Sequence, residues 1–332
     1  MRIVAPQGSA LHAAVVGVED LAASMAFYRD IIGLEVVDED VLEGEGFGSF
    51  WHLPPGARAP YAALADRGNM VGRILLIQFP GDDRVRVRTV PNGNALGLMN
   101  INFYTSDIRR DGETIAAAGY PLWSQPVRHQ MAAEVGSPTE VLFDGPDGMI
   151  VNLVELSTSD MTTRIGQMRD YVHNEVGLNA RGFTPVVTTL HVSPDIEKEI
   201  AFFREAVGME VLFRDVLSTP DQNHFSRFPE GSSTACAFLQ GNDMFGKICM
   251  TQPVDYVVPD PVPLAQPPNI GYLAQAFVVA DVAAAAERGR AAGGIDYSPV
   301  ATTTIPGLGE TAATILRTPG SHALVLLVEA RA

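Results

Sequence analysis

Three side-chain amides and one phenol occupy strand-like positions from which they could contact a bound molecule. Residues 100–105 read Asn-Ile-Asn-Phe-Tyr-Thr. Strict alternation along a strand places Asn100, Asn102 and Tyr104 on one face and the two apolar residues between them on the other. The apolar face must pack against helices, so the amides and the phenol are predicted to face a pocket. Asn152, in a later strand-like run, is expected to join them.

Fixed amide and phenol groups suit the binding of a polar substituent on a small molecule. Where water is excluded, such donors polarise a carbonyl oxygen and stabilise a developing oxyanion by about 2.7–4 kcal/mol per donor. We therefore predict ligand-binding roles for the three asparagines and a catalytic role for Tyr104. The alternative is a buried polar network that is satisfied internally and contributes only to the fold.

Proton transfer also needs a base, and histidine is the commonest one. His129 is predicted to reach the pocket as a catalytic residue, and the alternative is a surface histidine. Residues 44–60 form a Gly- and Pro-rich loop that carries Trp51 and His52. Long loops with aromatic residues often form lids or pocket walls, so we predict that both residues contact the ligand. A packed surface loop is the alternative.

Two further ligand-binding candidates depend on the register of a strand. A slip of one residue turns every side chain of a strand to the opposite face. Residues 190–195 read LHVSPD, and one extra residue before the Asp would bring His191 into a pocket. Tyr272 starts a run in which Ala and Val occupy the inward positions. Tyr272 is therefore predicted to lie at the mouth of a second, apolar pocket.

The pattern around these residues occurs four times in the chain. Residues 18–42 and 193–217 match each other at an offset of 175, and residues 103–127 match residues 277–300. Each copy has an apolar strand, an Asp placed to cap a helix, the helix itself, and a further strand. Later strand-like runs complete four units with the order β-α-β-β-β, which start near residues 10, 97, 185 and 271.

These units resemble the vicinal oxygen chelate superfamily, which includes glyoxalases, bleomycin resistance proteins and extradiol dioxygenases. The resemblance rests on VEDL, AFYRD and GLEV in the first unit and on DGPDGMIVNLVEL at residues 144–156. It implies an α+β fold in which paired βαβββ units wrap eight-stranded cups. We predict two such domains, at residues 1–157 and 184–332, with a partly helical linker at residues 158–183.

The resemblance also implies where a metal would be held, namely by His, Glu or Gln side chains on the first and last strand of each unit. In unit order, the matching positions here are Ala13 and Leu76; Asn100 and Asn152; Thr188 with Cys249 or Met250; and Ala274 with Val325 or Leu326. None is a carboxylate or a histidine, whereas a catalytic metal usually has three good ligands. We therefore expect no metal and no other cofactor. The alternative is a divalent metal such as Fe, Mn or Zn, bound by ligands in a different register.

Composition limits the possible partners. The formal net charge of −16 argues against nucleic acid or an anionic membrane as a partner, since both bind basic patches. Two cysteines cannot form a disulfide framework for 332 residues, and the N-terminus does not resemble a signal peptide. We expect a cytoplasmic protein, either a monomer with two similar halves or a homodimer, whose partner is a small molecule.

Three functions fit these observations. The first is a metal-free isomerase, lyase or cyclase acting on a small, partly hydrophobic metabolite. The second is a non-catalytic binding or sequestration protein, which needs only an apolar cup with a few fixed polar groups. The third is a metal-dependent dioxygenase or glyoxalase-like lyase. A general base distinguishes the first from the second, and the sequence shows no unambiguous one.

Overall fold

The structure, a computed structural model, describes residues 8–89 and 94–330. The first unit consists of β1 (Leu11–Gly17), α1 (Leu21–Ala26, continued by a π-helical turn at Phe27–Ile31), β2 (Glu35–Leu42), α2 (Glu45–Phe50), β3 (Ala59–Ala65) and β4 (Arg73–Ile77). The second consists of β5 (Gly97–Thr105), α3 (Ile108–Ala117), β6 (Val127–Arg128), β7 (Thr139–Asp144) and β8 (Ile150–Glu155), with a 3-10 turn at Pro146–Gly148.

The second half of the chain repeats this order. The connection contains α4 (Arg164–Asp170), which a π-helical turn at Tyr171–Val176 continues. The third unit consists of β9 (Thr188–Val192), α5 (Ile196–Val207), β10 (Glu210–Leu217), α6 (Pro220–Ser226), β11 (Thr234–Gln240) and β12 (Lys247–Pro253). The fourth consists of β13 (Gly271–Val279), α7 (Val282–Ala291), β14 (Ile295–Ile305), β15 (Gly309–Arg317) and β16 (Leu324–Glu329), preceded by a 3-10 turn at Val262–Leu264.

The same capping interaction starts the first helix of all four units. The side chains of Asp20, Asp107, Asp195 and Asp281 each accept a hydrogen bond from the backbone N–H three residues later. Each of these bonds satisfies one of the N–H groups that a helix leaves free in its first turn. The predicted α+β architecture of four βαβββ units is confirmed.

The strands form two eight-stranded sheets. The first sheet has the order β14-β15-β16-β13-β1-β4-β3-β2, and the second has the order β10-β11-β12-β9-β5-β8-β7-β6. Antiparallel pairing of β1 with β13 joins the halves of the first sheet, and pairing of β5 with β9 joins those of the second. The first sheet therefore combines units one and four, and the second combines units two and three.

The expectation that sequence neighbours share a sheet is therefore wrong. The predicted domains at residues 1–157 and 184–332 each contribute one unit to each sheet, and the predicted linker, residues 158–183, carries α4. All four first strands carry the same pattern, so the repeat alone does not specify which of them pair. The predicted domains also include residues 1–7, 90–93, 331 and 332, which lie outside the described residues.

The main hydrophobic core lies between the two sheets. One cluster contains helical residues such as Phe27, Ile115 and Phe203, together with Val16 of the first sheet and Phe103 of the second. The opposite face of each sheet forms the interior of a cup. Within residues 8–89 and 94–330, helices are too short or too polar to cross a membrane.

Candidate ligand-binding site

The cup of the first sheet is filled by its own side chains. Helix α2 packs against β14, and Phe47, Phe50 and Trp51 belong to the apolar cluster inside this cup. The Trp51 side chain is 1% exposed, and its ring lies 5.6 Å from that of Phe79. The sequence suggested that Trp51 belongs to a lid, but the structure places it as the filling of the first cup.

His52 follows Trp51 and lies at the surface. Its backbone has a left-handed φ of 56°, and its ring stacks on Tyr297 at 4.3 Å. His52 lies beside the filled first cup and does not line the cavity of the second sheet.

The cup of the second sheet is open. Residues from all its strands except β6, and from α4 and α6, surround one cavity, whose empty space including the mouth is about 1230 Å³. The wall is largely apolar and includes Leu142, Phe213, Phe225 and Phe238. A concave, mainly apolar wall with a few convergent polar groups is typical of small-molecule sites.

The predicted amides and phenol come together in this second cup. Asn102 pairs with Asn152 of β8 on one side and with Thr188 of β9 on the other. Asn100, Asn102, Tyr104 and Asn152 all line the cavity. The alternation in β5 correctly placed Asn100, Asn102 and Tyr104 on the cup face, and Asn152 of β8 lines the same cavity. Their role toward a ligand stays a prediction.

The hydrogen bonds of these amides leave acceptors unused. Nδ2 of Asn100 donates to Oδ1 of Asn102, and Nδ2 of Asn152 donates to Oε2 of Glu140 at 2.6 Å. Among the described residues, the buried Oδ1 atoms of Asn100 and Asn152 have no partner. Burial and the nearby Glu140 carboxylate raise the pKa of Tyr104, so its phenol stays protonated at neutral pH.

His129 also lines the second cup. Its side chain is buried, and its ring meets that of Phe225 edge to face at 4.7 Å. Both ring nitrogens are buried without a partner in the part of the chain that the structure describes. The structure therefore places His129 in the cavity rather than on the surface.

Two ionisable residues of the second cup were not identified from the sequence. Glu140 lies on β7, where Val141 and Phe143 belong to the main core and therefore turn Glu140 toward the cavity. This alternation is visible in the sequence, but Glu140 does not belong to any of the motifs that the sequence contains. Lys247 starts β12, is 4% exposed and lines the cavity.

His191 faces away from the cup, contrary to the expectation from a slipped register. Its neighbours Thr188 and Leu190 line the cavity, and alternation turns the His191 ring toward the interior between the two sheets. There Nε2 contacts Oγ of Ser321 at 2.5 Å and lies 3.6 Å from Oε1 of Glu199. The extra residue before the helix therefore leaves the alternation of β9 unchanged.

Tyr272 does not lie at the mouth of a cup either. In the pairing of β13 with β1, Ala274 lies opposite Val15 and Tyr272 lies opposite Val16. A register shift therefore falls between these two pairs. Ala274 stays inside the first cup, whereas Tyr272 joins the main core between the sheets. This register shift explains why the sequence placed Tyr272 on the wrong face of β13.

Comparison with known proteins agrees with this architecture. The profile of the Glyoxalase/Bleomycin resistance protein/Dioxygenase superfamily matches residues 10–153, which include the first two units. Residues 10–153 therefore carry a domain of this superfamily. Glyoxalase I from Zea mays is similar over 97% of this chain and 92% of its own, with a TM-score of 0.62 and 17% identity.

A putative dioxygenase from Bacillus subtilis gives a TM-score of 0.53 at 14% identity, over 98% of this chain and 86% of its own. Similarity at these identities concerns the fold alone. No curated protein sequence matches the chain.

The superfamily's metal positions carry poor ligands in this chain. In the second cup they are Asn100, Asn152, Thr188 and Cys249, and burial raises the pKa of the Cys249 thiol. A neutral thiol is a poor ligand, because the thiolate is the form that binds metal. Within the described ranges, no three His, Cys, Asp or Glu side chains are grouped closely enough to hold an ion. These side chains do not fit the metal.

The first cup offers no better ligands. Ala13, Ala274 and Leu326 face its interior, whereas Leu76 and Val325 turn to the main core, and Leu75 takes the inward position instead of Leu76. The register prediction for Leu76 was therefore wrong by one residue. The first cup still offers no metal ligand at this position, because the inward residue is aliphatic in either register.

Proposed function

We propose that the second cup binds a small, mainly apolar organic molecule that carries a hydrogen-bonding group, and that it does so without a metal. The observation that carries this proposal is a set of buried polar atoms that have no partner among the described residues: Oδ1 of Asn100, Oδ1 of Asn152, and both ring nitrogens of His129. Buried polar atoms are normally paired, so unpaired ones on the wall of an open cavity support a bound molecule as their partner.

The chemistry of these atoms describes the ligand. The amide oxygens accept hydrogen bonds, so the matching group is a hydroxyl, phenol or N–H donor. The protonated phenol of Tyr104 can donate in return to an oxygen of the same molecule. The aromatic wall formed by Phe213, Phe225 and Phe238 favours a ring or another flat apolar body.

Glu140 favours catalysis as a second candidate function. Among the described residues that line the cavity it is the one carboxylate, and Asn152 donates a hydrogen bond to it. A carboxylate fixed in a cavity of low dielectric can accept a proton from a carbon next to a carbonyl, while Tyr104 donates to the oxygen. An isomerase or lyase reaction of this kind needs no metal. Non-catalytic binding remains the simpler function of the same cup.

Filling the cup tests the binding proposal. The probe is the fluorescent dye anilinonaphthalene sulfonate, and the variant is Leu190→Trp, which places a large side chain in the cavity. Leu264→Trp is the matched control, because Leu264 is 42% exposed and lies outside the cavity.

We expect the dye to bind Leu190→Trp about tenfold or more weakly than the wild type, and the control to bind with unchanged affinity. Circular dichroism checks that both variants are folded. Equal dye affinity in the wild type and Leu190→Trp would show that the second cup is not the binding site.

A further inference from the structure

One of the two lysines of the chain lies inside the second cup. Lys198 sits in the first turn of α5, where its side chain is 64% exposed and its Nζ lies 3.2 Å from Asp195. Lys247, in contrast, is buried and lines the cavity. Burying a lysine is costly, so its placement against a ligand cavity needs an explanation.

Strand pairing places Lys247 in the polar row of the cup. Lys247 pairs with Thr188, Thr188 pairs with Asn102, and Asn102 pairs with Asn152. The amine therefore belongs to the same line of residues across the sheet as the proposed ligand-binding amides.

The surroundings of Lys247 favour a neutral amine. Its Nζ donates to the backbone oxygen of Met244, and it forms no ion pair within the described residues. Burial lowers the pKa of Lys247 to about 7, although Asp243 acts in the opposite direction. One N–H is thus held by Met244, whereas the lone pair of the neutral form is free to react.

Arg73 occupies the corresponding position in the first sheet, where its side chain interacts differently. Arg73 starts β4 and pairs with Ala13, just as Lys247 starts β12 and pairs with Thr188. The Arg73 guanidinium donates to the backbone oxygens of Asn69 and Gly307 beside a filled cup. The amine of Lys247 thus lies at the open cup. The guanidinium of Arg73, which is always charged and forms several hydrogen bonds, lies at the filled cup.

We propose that Nζ of Lys247 forms an imine with an aldehyde or ketone ligand held in the second cup. This proposal rests on the binding function proposed above and specifies the class of ligand. The Nζ lone pair forms a bond to the carbonyl carbon, and the carbonyl oxygen takes up a proton to give a carbinolamine. The C–O bond then breaks, the oxygen leaves as water with the hydrogens lost from nitrogen, and a C=N bond remains. No electrons are gained or lost.

Reductive trapping tests the imine directly. The protein is incubated near neutral pH with naphthaldehyde and sodium cyanoborohydride, which converts an imine into a stable secondary amine. Intact mass and peptide mapping then locate the label. The only competing amines are Lys198 and the α-amino group, so the assignment is unambiguous.

We expect Lys247 to be labelled about tenfold or more faster than Lys198, because an exposed lysine is almost entirely protonated at neutral pH. Lys198→Arg should keep the adduct, and Lys247→Met should lose it. Excess anilinonaphthalene sulfonate should suppress labelling of Lys247 but not of Lys198.

Dye displacement and labelling together distinguish a failure of imine formation from a failure of ligand binding. If naphthaldehyde displaces the dye and Lys247 is not labelled, the imine proposal is wrong and the binding proposal stands. If naphthaldehyde does not displace the dye and Lys247 is labelled no faster than Lys198, the imine proposal is overturned. Whether the dye itself loses affinity in Leu190→Trp then decides the binding proposal separately.

Discussion

Asn152 donates a hydrogen bond from Nδ2 to Oε2 of Glu140 at 2.6 Å, while its own Oδ1 is buried without a partner among the described residues. The bond to a carboxylate fixes which end of the amide is the donor, because a carboxylate can only accept. The remaining amide oxygen is thereby presented as an acceptor. The pair therefore combines an immobilised carboxylate with an oriented acceptor at one position in the cup.

This arrangement predicts how Asn152→Ala changes binding of a probe that carries a donor. Naphthol can donate to Oδ1, whereas naphthalene cannot, and both have the same apolar body. We expect Asn152→Ala to weaken naphthol binding by about 1–3 kcal/mol and to leave naphthalene binding nearly unchanged. Displacement of anilinonaphthalene sulfonate measures both. Asn100→Ala should behave in the same way, and equal losses for the two probes would indicate a general disturbance of the cup.

A chelator should have no effect on the second cup. Its lining offers neutral amides, a hydroxyl and a protonated thiol at the superfamily's metal positions, and an isolated neutral donor set does not offset a divalent charge. We expect dialysis against a chelator to leave the naphthol affinity unchanged. Metal analysis of the purified protein should find Fe, Mn and Zn far below one ion per chain. A stoichiometric metal whose removal abolishes binding would overturn the metal-free proposal.

Trp51→Ala should destabilise the protein strongly without affecting the second cup. The ring fills the first cup, and removing a buried aromatic side chain leaves a cavity that typically costs about 3–5 kcal/mol. Urea unfolding measures the loss, and Val257→Ala is the control because Val257 is 95% exposed. The dye affinity of folded Trp51→Ala should match the wild type. A loss within about 0.5 kcal/mol would show that Trp51 does not fill the first cup.

The sequence predicted the parts of the site that follow from uninterrupted alternation. Asn100, Asn102 and Tyr104 share a face because regular strand geometry extends through residues 100–105. Tyr272 was misplaced because a register shift in the pairing of β1 with β13 has no sequence signature. His191 was misplaced because the irregularity before α5 lies outside β9. The pairing of units two and three was not predictable, since the four units present similar first strands.

The polar cluster around Glu199 should stabilise the junction between the two sheets. Oε1 of Glu199 accepts a hydrogen bond from the backbone N–H of Ser321 at 2.7 Å and another from Thr318 at 3.0 Å, and it lies close to His191. Ser321 and Thr318 follow β15 of the first sheet, whereas His191 belongs to the second sheet. Glu199→Ala removes the acceptor of these buried donors, at a cost of about 1–3 kcal/mol for each donor left unpaired.

Urea unfolding of Glu199→Ala tests this role, with dye binding as the second measurement. We expect a large loss of stability and unchanged dye affinity, because the cluster lies on the opposite face of β9 from the cup. Exposed Glu205→Ala, on the same helix, should change stability by less than about 0.5 kcal/mol. A loss of dye affinity without a loss of stability in Glu199→Ala would indicate that His191 takes part in ligand binding.

His12 should make the protein sensitive to acid. Burial, followed by the charge of Arg73, lowers the pKa of His12 from its ordinary value of 6.5 to about 4 in the folded state. One ring nitrogen bonds the backbone oxygen of Met70 at 2.6 Å, and the other is buried without a partner within the described ranges. The folded protein therefore holds the neutral ring, whereas the unfolded chain takes up a proton below about pH 6.5.

Between these two pKa values the unfolded state binds more protons, so the free energy of unfolding must fall as the pH falls. The loss from this residue is complete near pH 4 and amounts to about 3 kcal/mol, from the pKa difference multiplied by 1.36 kcal/mol per unit. His12→Asn should remove this part of the slope, whereas His224→Asn, at an exposed histidine, should keep it. Urea unfolding from pH 7 to pH 4 measures the difference between the variants. Parallel curves for the wild type and His12→Asn would show that another group causes the acid sensitivity.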